Sequence, residues 1–301
     1  MGWYGRGEHI FRCEVARLTA IVGLVGLSLA MASCTQENGD KATARSSNDT
    51  MPTIYVDRLV EYSSREAQKG GYLQALANCR EGGVPTVPLS EEEVAKIGTE
   101  RRQFWRTPER RAYRVEAWEW YSEGGGARVD PAARCEFSLS VTGQHGYLDA
   151  QQSVYIELDS NEKSVDPPTP QELEGLEVVQ ADAPDEEDLV MARDFGATGP
   201  VMRTVAGQPC QEWTYPDGAT VCTWSGGSES GFSYGPDAPF RAVNGIDLDS
   251  IVLHAEPPPG QSRGRRKGDR LTTVEFSINA PLNLNDMKAV GAGDQPENRG
   301  P

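Results

Sequence analysis

The stretch from Arg111 to Tyr121 reads RAYRVEAWEWY and decides the fold class. Its side chains alternate, so that Tyr113 and Val115 share one face of an extended chain while Trp118 and Trp120 share the other. Alternation with a period of two predicts a β-strand with one buried face, the pattern of an antiparallel sheet. Only one of the two sets can then lie in the core, and the other faces solvent or lines a groove.

The same alternation recurs along the chain. It is cleanest where Cys135, Phe137, Leu139 and Val141 are separated by polar residues. With 32 glycines and 20 prolines in 301 residues, turns and short strands are favoured over long helices. Further strands are predicted at 54–59, 154–158, 251–255 and 274–278.

Two helices are expected among these strands. Ser90 and Glu93 have the spacing of a capping box, which predicts a helix from Glu91 to Arg102. A turn at 69–71 and a short helix at 72–78 are expected before it. The sequence therefore predicts an α+β, mainly β domain over residues 53–290, a curved antiparallel sheet with one or two short covering helices. Residues 291–301 are expected to form a disordered tail.

The first 33 residues have the character of an export signal. The uncharged run from Leu18 to Ala32 is shorter than the 20 or so residues that span a bilayer, and it suits the apolar part of a signal peptide. It ends Met31-Ala32-Ser33-Cys34, which resembles the lipobox of bacterial lipoproteins, with Met31 in place of the usual Leu. The resemblance implies that Cys34 is lipidated and becomes the mature N-terminus. The alternative is a non-lipidated secretory signal with an incidental cysteine.

The lipobox resemblance also implies that the protein is localised in the cell envelope, with the membrane as a partner through the N-terminal lipid. Thr35 follows the cysteine where an inner-membrane retention signal has Asp. We therefore expect the outer membrane, facing the periplasm, in a Gram-negative organism, and the outer face of the cytoplasmic membrane in a Gram-positive one. Residues 34–52 are polar enough to form a disordered tether.

Charge limits the partners. The chain has 29 basic and 45 acidic residues and a formal net charge of −16, which disfavours nucleic acid. Nine of the acidic residues lie at 171–194, beside a single base. We interpret this segment as a solvated loop, with a cation site or a dock for a basic partner as the alternative. It lacks the spacing of a calcium-binding loop.

Four cysteines remain after Cys13 in the leader and Cys34 are set aside, and an even number in an exported domain favours disulfides. Because Cys210 and Cys222 flank the turn signature Pro216-Asp217-Gly218, we predict that they pair with each other. A Cys79–Cys135 bond follows by elimination. The chain has neither C-x-x-C nor paired short spacings, so no thiol-redox or zinc site is predicted.

The register of the 210–222 hairpin raises a difficulty. A three-residue loop pairs Tyr215 with Ala219 and places the two cysteines on a diagonal. Diagonal Cα atoms lie about 7–8 Å apart, beyond the disulfide range of 4.4–6.8 Å. We therefore expect a bulge, or a register in which Cys210 lies opposite Cys222.

No catalytic, metal or cofactor motif is recognisable. The chain has no G-x-S-x-G elbow, no H-E-x-x-H, no P-loop and no G-x-G-x-x-G. His145 lies in a segment that we interpret as a turn, and His254 lies in a predicted strand. Both are interpreted as structural or solvent-facing side chains. We predict no catalytic residue, no metal and no cofactor.

The order of elements loosely resembles the periplasmic lipoprotein-carrier half-barrels, and residues 276–283 are similar to their last strand. The resemblance implies an apolar groove for acyl chains. Trp118 and Trp120 are the candidate binding residues, since two tryptophans on one strand can form an aromatic wall. The expected function is an envelope-anchored, non-enzymatic lipoprotein that binds a lipid or protein partner. The alternative is a hydrolase with an unrecognised carboxylate and histidine site.

Overall fold

One twelve-stranded curved sheet dominates the computed structural model of the protein. The structure describes residues 52–123, 134–159, 162–174, 176, 186–232, 250–259 and 269–288. The strands are β1 (Ile54–Glu61), β2 (Thr86–Val87), β3 (Thr99–Arg106), β4 (Arg110–Glu123), β5 (Cys135–Asp149), β6 (Val154–Asp159), β7 (Glu162–Asp166), β8 (Thr198–Val205), β9 (Gln208–Thr214), β10 (Thr220–Trp224), β11 (Val252–Glu256) and β12 (Arg270–Ile278).

Five short α-helices and one 3-10 helix accompany the sheet in the described residues. They are α1 (Arg65–Glu81), α2 (Glu91–Lys96), α3 (Pro170–Glu174), α4 (Glu186–Asp194), α5 (Leu284–Met287) and the 3-10 helix Ser225–Ser230. The prediction of a mainly β fold with a curved antiparallel sheet and short covering helices is confirmed.

The sheet is built outward from a central pair of strands that lie far apart in sequence. The strand order is β7-β6-β5-β4-β3-β1-β12-β11-β10-β9-β8, and β2 pairs in parallel with β5 beside this path. β1 pairs with β12 on one side and with β3 on the other, and Ile54 lies opposite Ile278. The first and last strands of the described domain therefore form the middle of the sheet.

Strand register defines two faces. Tyr55, Trp105, Ala112 and Tyr147 lie in one row across β1, β3, β4 and β5, and we call their side the Trp105 face. The opposite side, the Phe104 face, carries Ile54, Val56, Phe104 and Tyr113. Both faces are covered by apolar side chains in part, so β1 and β3 are buried from two sides.

Separate elements cover the two ends of the Trp105 face. At one end, Tyr72 and Leu76 of α1 pack against Phe137 of β5. The Cys79–Cys135 disulfide joins this helix to β5. At the other end, Met287 of α5 is fully buried in a cluster with Trp105, Ala112 and Tyr147. The middle of the face lies between these two covers.

The Phe104 face carries the second core. The Cys210–Cys222 disulfide, Trp224 and Phe232 cluster with Ile54, Val56 and Phe104, although strands β12 and β11 separate β10 from β1. Contacts between side chains on such distant strands require a sheet that curves toward this face.

Both predicted disulfides are present, and the register objection to the second was wrong. Tyr215 donates its N–H to the Ala219 carbonyl, and Cys222 lies opposite Glu212, as the three-residue loop requires. Nevertheless the Cys210 and Cys222 Cα atoms are only 5.5 Å apart. Strands approach more closely at pairs that share no hydrogen bonds, and right-handed twist shortens one of the two diagonals, so no bulge is needed.

The helix expected from Glu91 to Arg102 was too long. Its capping box is present, since Glu93 N–H donates to the Ser90 hydroxyl oxygen and the Glu93 carboxylate accepts from the Ser90 N–H. The helix nevertheless ends at Lys96. Gly98 adopts a φ of +69°, and a Cβ there would lie 2.7 Å from the Arg65 Cα, so the chain turns tightly before β3.

The turn expected at residues 69–71 was also wrong. Helix α1 runs through Gly70 and Gly71, because Tyr72 and Leu76 lie one turn apart and are both buried. Burial of this face outweighs the weak helix propensity of two glycines, about 1 kcal/mol each relative to alanine.

The predicted leader 1–33, Cys34, the tether up to residue 51 and the tail 291–301 lie outside the described residues. All described residues belong to one compact unit of the chain. Within them, no helix has the length and apolar character needed to cross a membrane.

Candidate functional site

Trp118 and Trp120 share one face of β4 but have different surroundings. Trp120 packs under α1, with its ring centroid 6.0 Å from that of Tyr72 and 6.2 Å from that of Phe137. Trp118 lies two residues earlier, next to Lys96, whose Nζ is 6.0 Å from the indole centroid. Trp120 therefore belongs to the core beneath the helix, whereas Trp118 lies at the edge of that cover.

The middle of the Trp105 face forms the candidate site, which we call the central strip. Trp118 lies directly opposite Val141 across β4 and β5, and Arg101 lies opposite Glu116 across β3 and β4. Val141 is 55% exposed, unlike the apolar side chains under α1 and α5. The central strip consists of Trp118, Val141, Glu116, Arg101 and Asp57.

An ion pair forms the polar part of the strip. Arg101 Nε lies 3.0 Å from Asp57 Oδ1, and Nη2 lies 2.6 Å from Oδ2. The Asp57 side chain is 3% exposed and the Arg101 side chain 45% exposed. The hydrogen bonds to Asp57 raise the pKa of Arg101 above its ordinary value, so the guanidinium stays charged. Asp57 therefore holds the guanidinium in place, while the exposed part of that group can contact a ligand.

The Tyr55 hydroxyl lies beside this ion pair and donates to Asp57 Oδ2 at 3.5 Å. Gln103 Nε2 donates to the Tyr55 hydroxyl oxygen at 2.8 Å. Burial raises the pKa of Tyr55, so this phenol stays protonated at neutral pH. The strip therefore combines an indole, an exposed aliphatic side chain and a fixed cation, a set that can bind an amphipathic ligand.

His145 is not in a turn. It lies within β5 and is 4% exposed, with Nε2 2.9 Å from the Met287 carbonyl oxygen and its ring stacked on Trp105. Burial, and then the charge of Arg114, lower its pKa to about 4, so the ring is neutral and its Nε2–H donates to Met287. Arg114 Nη2 donates to the Asp286 carbonyl oxygen at 3.0 Å. The two side chains together attach α5 to the sheet.

The glycines that suggested a turn have a packing role instead. A Cβ on Gly146 would lie 2.2 Å from Tyr113 Cε1, and one on Gly143 would lie 1.9 Å from the Val115 carbonyl oxygen. Gly143 is needed because the β4 backbone lies too close for a side chain, and Gly146 because the Tyr113 ring fills the space above it.

His254 lies in β11, as predicted for a strand residue. Its Nε2 is 3.5 Å from Glu256 Oε1, and Glu256 also accepts a hydrogen bond from Arg270. Strands β4, β3, β1 and β12 separate it from His145 on β5, so the structure does not bring the two histidines together. In the described ranges, no group of three or more His, Cys, Asp or Glu side chains is arranged to hold a metal ion.

Sequence reasoning missed Asp57 and Arg101. Arg101 fell inside the expected helix, and the sequence around it, TERRQFWR, lacks the alternation that marks the other strands. Asp57 stood in a predicted strand without any sign of a partner 44 residues away. No local signal identifies such a pair, because it depends on the register between β1 and β3.

No family model, no curated protein and no solved structure matches this chain.

Proposed function

We propose that this chain is a lipid-anchored, non-enzymatic binding protein of the cell envelope, held at the outer membrane in a Gram-negative organism. Its central strip binds a lipid or a protein partner. The observation that carries the proposal is the cross-strand pair of Trp118 and the exposed Val141 beside the fixed guanidinium of Arg101. Apolar side chains on an exposed sheet face, next to a held charge, are typical of interaction surfaces.

The two disulfides support the compartment. Cys135, Cys210 and Cys222 are buried, and each bond links separate elements of the sheet or its helical cover. Such bonds form and persist in oxidising compartments outside the cytosol. The sequence resemblance at Cys34 supplies the membrane attachment.

The surroundings of His145 favour binding over hydrolysis. Its ring is enclosed by Trp105 and the Met287 carbonyl, and a pKa of about 4 keeps it from acting as a general acid at neutral pH. The other histidine of the described residues, His254, contacts Glu256, which already pairs with Arg270.

The test compares ligands that co-purify with the full chain from its own envelope in mild detergent. Lipids and proteins are identified by mass spectrometry for the wild type, Trp118→Ala and the control Tyr121→Ala. Tyr121 lies on the same strand but on the opposite face, and its side chain is also partly exposed. We expect Trp118→Ala to lose at least tenfold of the specific ligand and the control to retain it. Equal recovery with Trp118→Ala would refute the proposal.

A further inference from the structure

Strand β8 ends the sheet and has β9 as its one neighbour in the strand order. The two strands are joined by Ala206 and Gly207, whose φ angles are 49° and 77°. Two residues with positive φ form the type I′ turn of a tight hairpin. In this hairpin the residues that flank the turn, Val205 and Gln208, exchange hydrogen bonds.

The hairpin fixes which backbone groups of β8 point outward. Hydrogen-bonded pairs alternate along an antiparallel ladder, so Arg203 bonds to Cys210 and Val201 to Glu212. The N–H and C=O groups of Met202 and Thr204 therefore point away from β9. Within the described part of the chain, neither of these two residues makes a hydrogen bond on that side. Met202 and Thr204 therefore offer two neighbouring sites at which another strand can form backbone hydrogen bonds.

Two side chains at this edge are apolar and exposed. Val201 is 57% exposed and Met202 is 59% exposed, and the two point to opposite faces of the strand. Arg203 is compensated by Glu212, whose carboxylate lies 2.8 Å from its guanidinium. Pro200, which lacks an N–H, limits the docking positions to residues 201–205.

The other edge of the sheet lacks this character. All side chains of β7 are exposed, and they include Glu162, Lys163 and Asp166, with Val165 as the apolar member. Charged residues are the usual protection of an edge strand against pairing. The two edges therefore differ, and β8 is the one suited to accept a strand.

The negative charge of the chain indicates which kind of strand can pair with β8. Helix α4 leads into β8 and ends at the exposed Asp194, while its Glu186 pairs with Arg193, and the whole chain carries a net charge of −16. A second copy would carry the same net negative charge and be repelled, whereas a cationic segment would be attracted. We propose that residues 201–205 bind an extended segment of a partner protein, apolar at alternate positions and positively charged overall, as an added strand.

This surface lies on β8, whereas the central strip lies on β1, β3, β4 and β5, so the two proposals fail independently. The probe is a displayed library of random twelve-residue peptides, selected on the full chain in detergent. Affinities of the selected peptides are then measured by fluorescence anisotropy for the wild type, Met202→Pro and Met202→Ala. Proline is tolerated at an edge position whose N–H faces solvent, and circular dichroism checks that both variants fold.

We expect the selected peptides to alternate apolar and basic residues. Met202→Pro should weaken binding at least tenfold and Met202→Ala less than threefold, because the proline removes the outward N–H. Peptides N-methylated at the residues that face β8 should lose binding, and peptides N-methylated at the intervening residues should keep it. Selection of no peptide, or equal binding to wild type and Met202→Pro, would overturn the proposal. So would a dimer of the free chain, in analytical ultracentrifugation, that Met202→Pro dissociates, because a second copy would then occupy the edge.

Discussion

Tyr113 lies directly opposite Gly146, and its ring occupies the space that a side chain at position 146 would need. A hydrogen bond to Tyr155 and burial hold this ring in place, and the same burial raises the pKa of Tyr113 well above its ordinary value. A glycine in the middle of β5 is thus explained by its neighbour on β4 rather than by a turn.

Gly146→Ala should therefore destabilise the protein by about 1–3 kcal/mol, the usual effect of overpacking a filled site. The measurement is the urea midpoint of unfolding, with Gly70→Ala as the matched control. A Cβ at Gly70 meets no atom within 4 Å and lies in α1, so alanine there should stabilise by up to about 1 kcal/mol. Equal effects of the two substitutions would contradict this account.

Replacing each of the two tryptophans of β4 by alanine should lower the stability to a different extent. Trp120→Ala removes a ring packed on Tyr72 and Phe137 and should cost about 3 kcal/mol. Trp118→Ala should cost less than about 1 kcal/mol, because its ring lies at the edge of the helical cover. Denaturant unfolding of both variants checks the difference. A loss of several kcal/mol in Trp118→Ala would place Trp118 in the core and remove it from the binding surface.

The free energy of unfolding should fall in mild acid, because the pKa of His145 is lower in the folded protein than in the unfolded chain. Its folded pKa of about 4 lies below the ordinary value of 6.5, so the unfolded chain binds the extra proton between these two values. The neutral His145 ring makes its full contribution to the free energy of unfolding above pH 6.5, and this contribution is lost as the pH falls toward 4. It amounts to about 3 kcal/mol, since one pKa unit corresponds to about 1.4 kcal/mol.

The measurement is the free energy of unfolding in urea at several pH values between 7 and 4. His145→Gln provides the control, because glutamine can donate a hydrogen bond toward Met287 but does not titrate. The variant should be less stable at pH 7 and should show a flatter pH dependence. The same slope in wild type and variant would exclude His145 as its source.

Lipidation should depend on Cys34 alone. Labelled palmitate fed to cells that express the full chain should enter the wild type and be absent from Cys34→Ala, which removes the acceptor thiol. Gel autoradiography of the purified proteins measures the incorporated label, and Cys13→Ala serves as the matched cysteine control. Equal label in wild type and Cys34→Ala would end the lipoprotein interpretation.

The sequence predicts what depends on neighbours along the chain. Alternation around Phe137, Ile156 and Phe276 correctly indicates strands β5, β6 and β12. The Ser90–Glu93 capping box correctly indicates the start of α2, because the two side chains lie within one helical turn.

Relationships between distant strands could not be predicted in this way. The pairing of Asp57 with Arg101 needs the register of β1 on β3, and Gly146 needs the ring of Tyr113. Which face of β4 lies under a helix depends on where α1 docks, so alternation alone could not separate Trp118 from Trp120. The candidate site is therefore predictable only as one tryptophan, without its ion pair.

The central position of β1 has a consequence for the order of events during synthesis. Thr53 and Asn279, which bond to each other beside the β1–β12 pair, are separated by 226 residues. At about 5–20 residues per second, the ribosome needs about 10–45 s to supply the second partner after the first. During that interval β1 has β3 on one side and an open edge on the other. We infer that a nascent chain needs protection at this edge, from a chaperone or from continued translocation, until its final strand arrives.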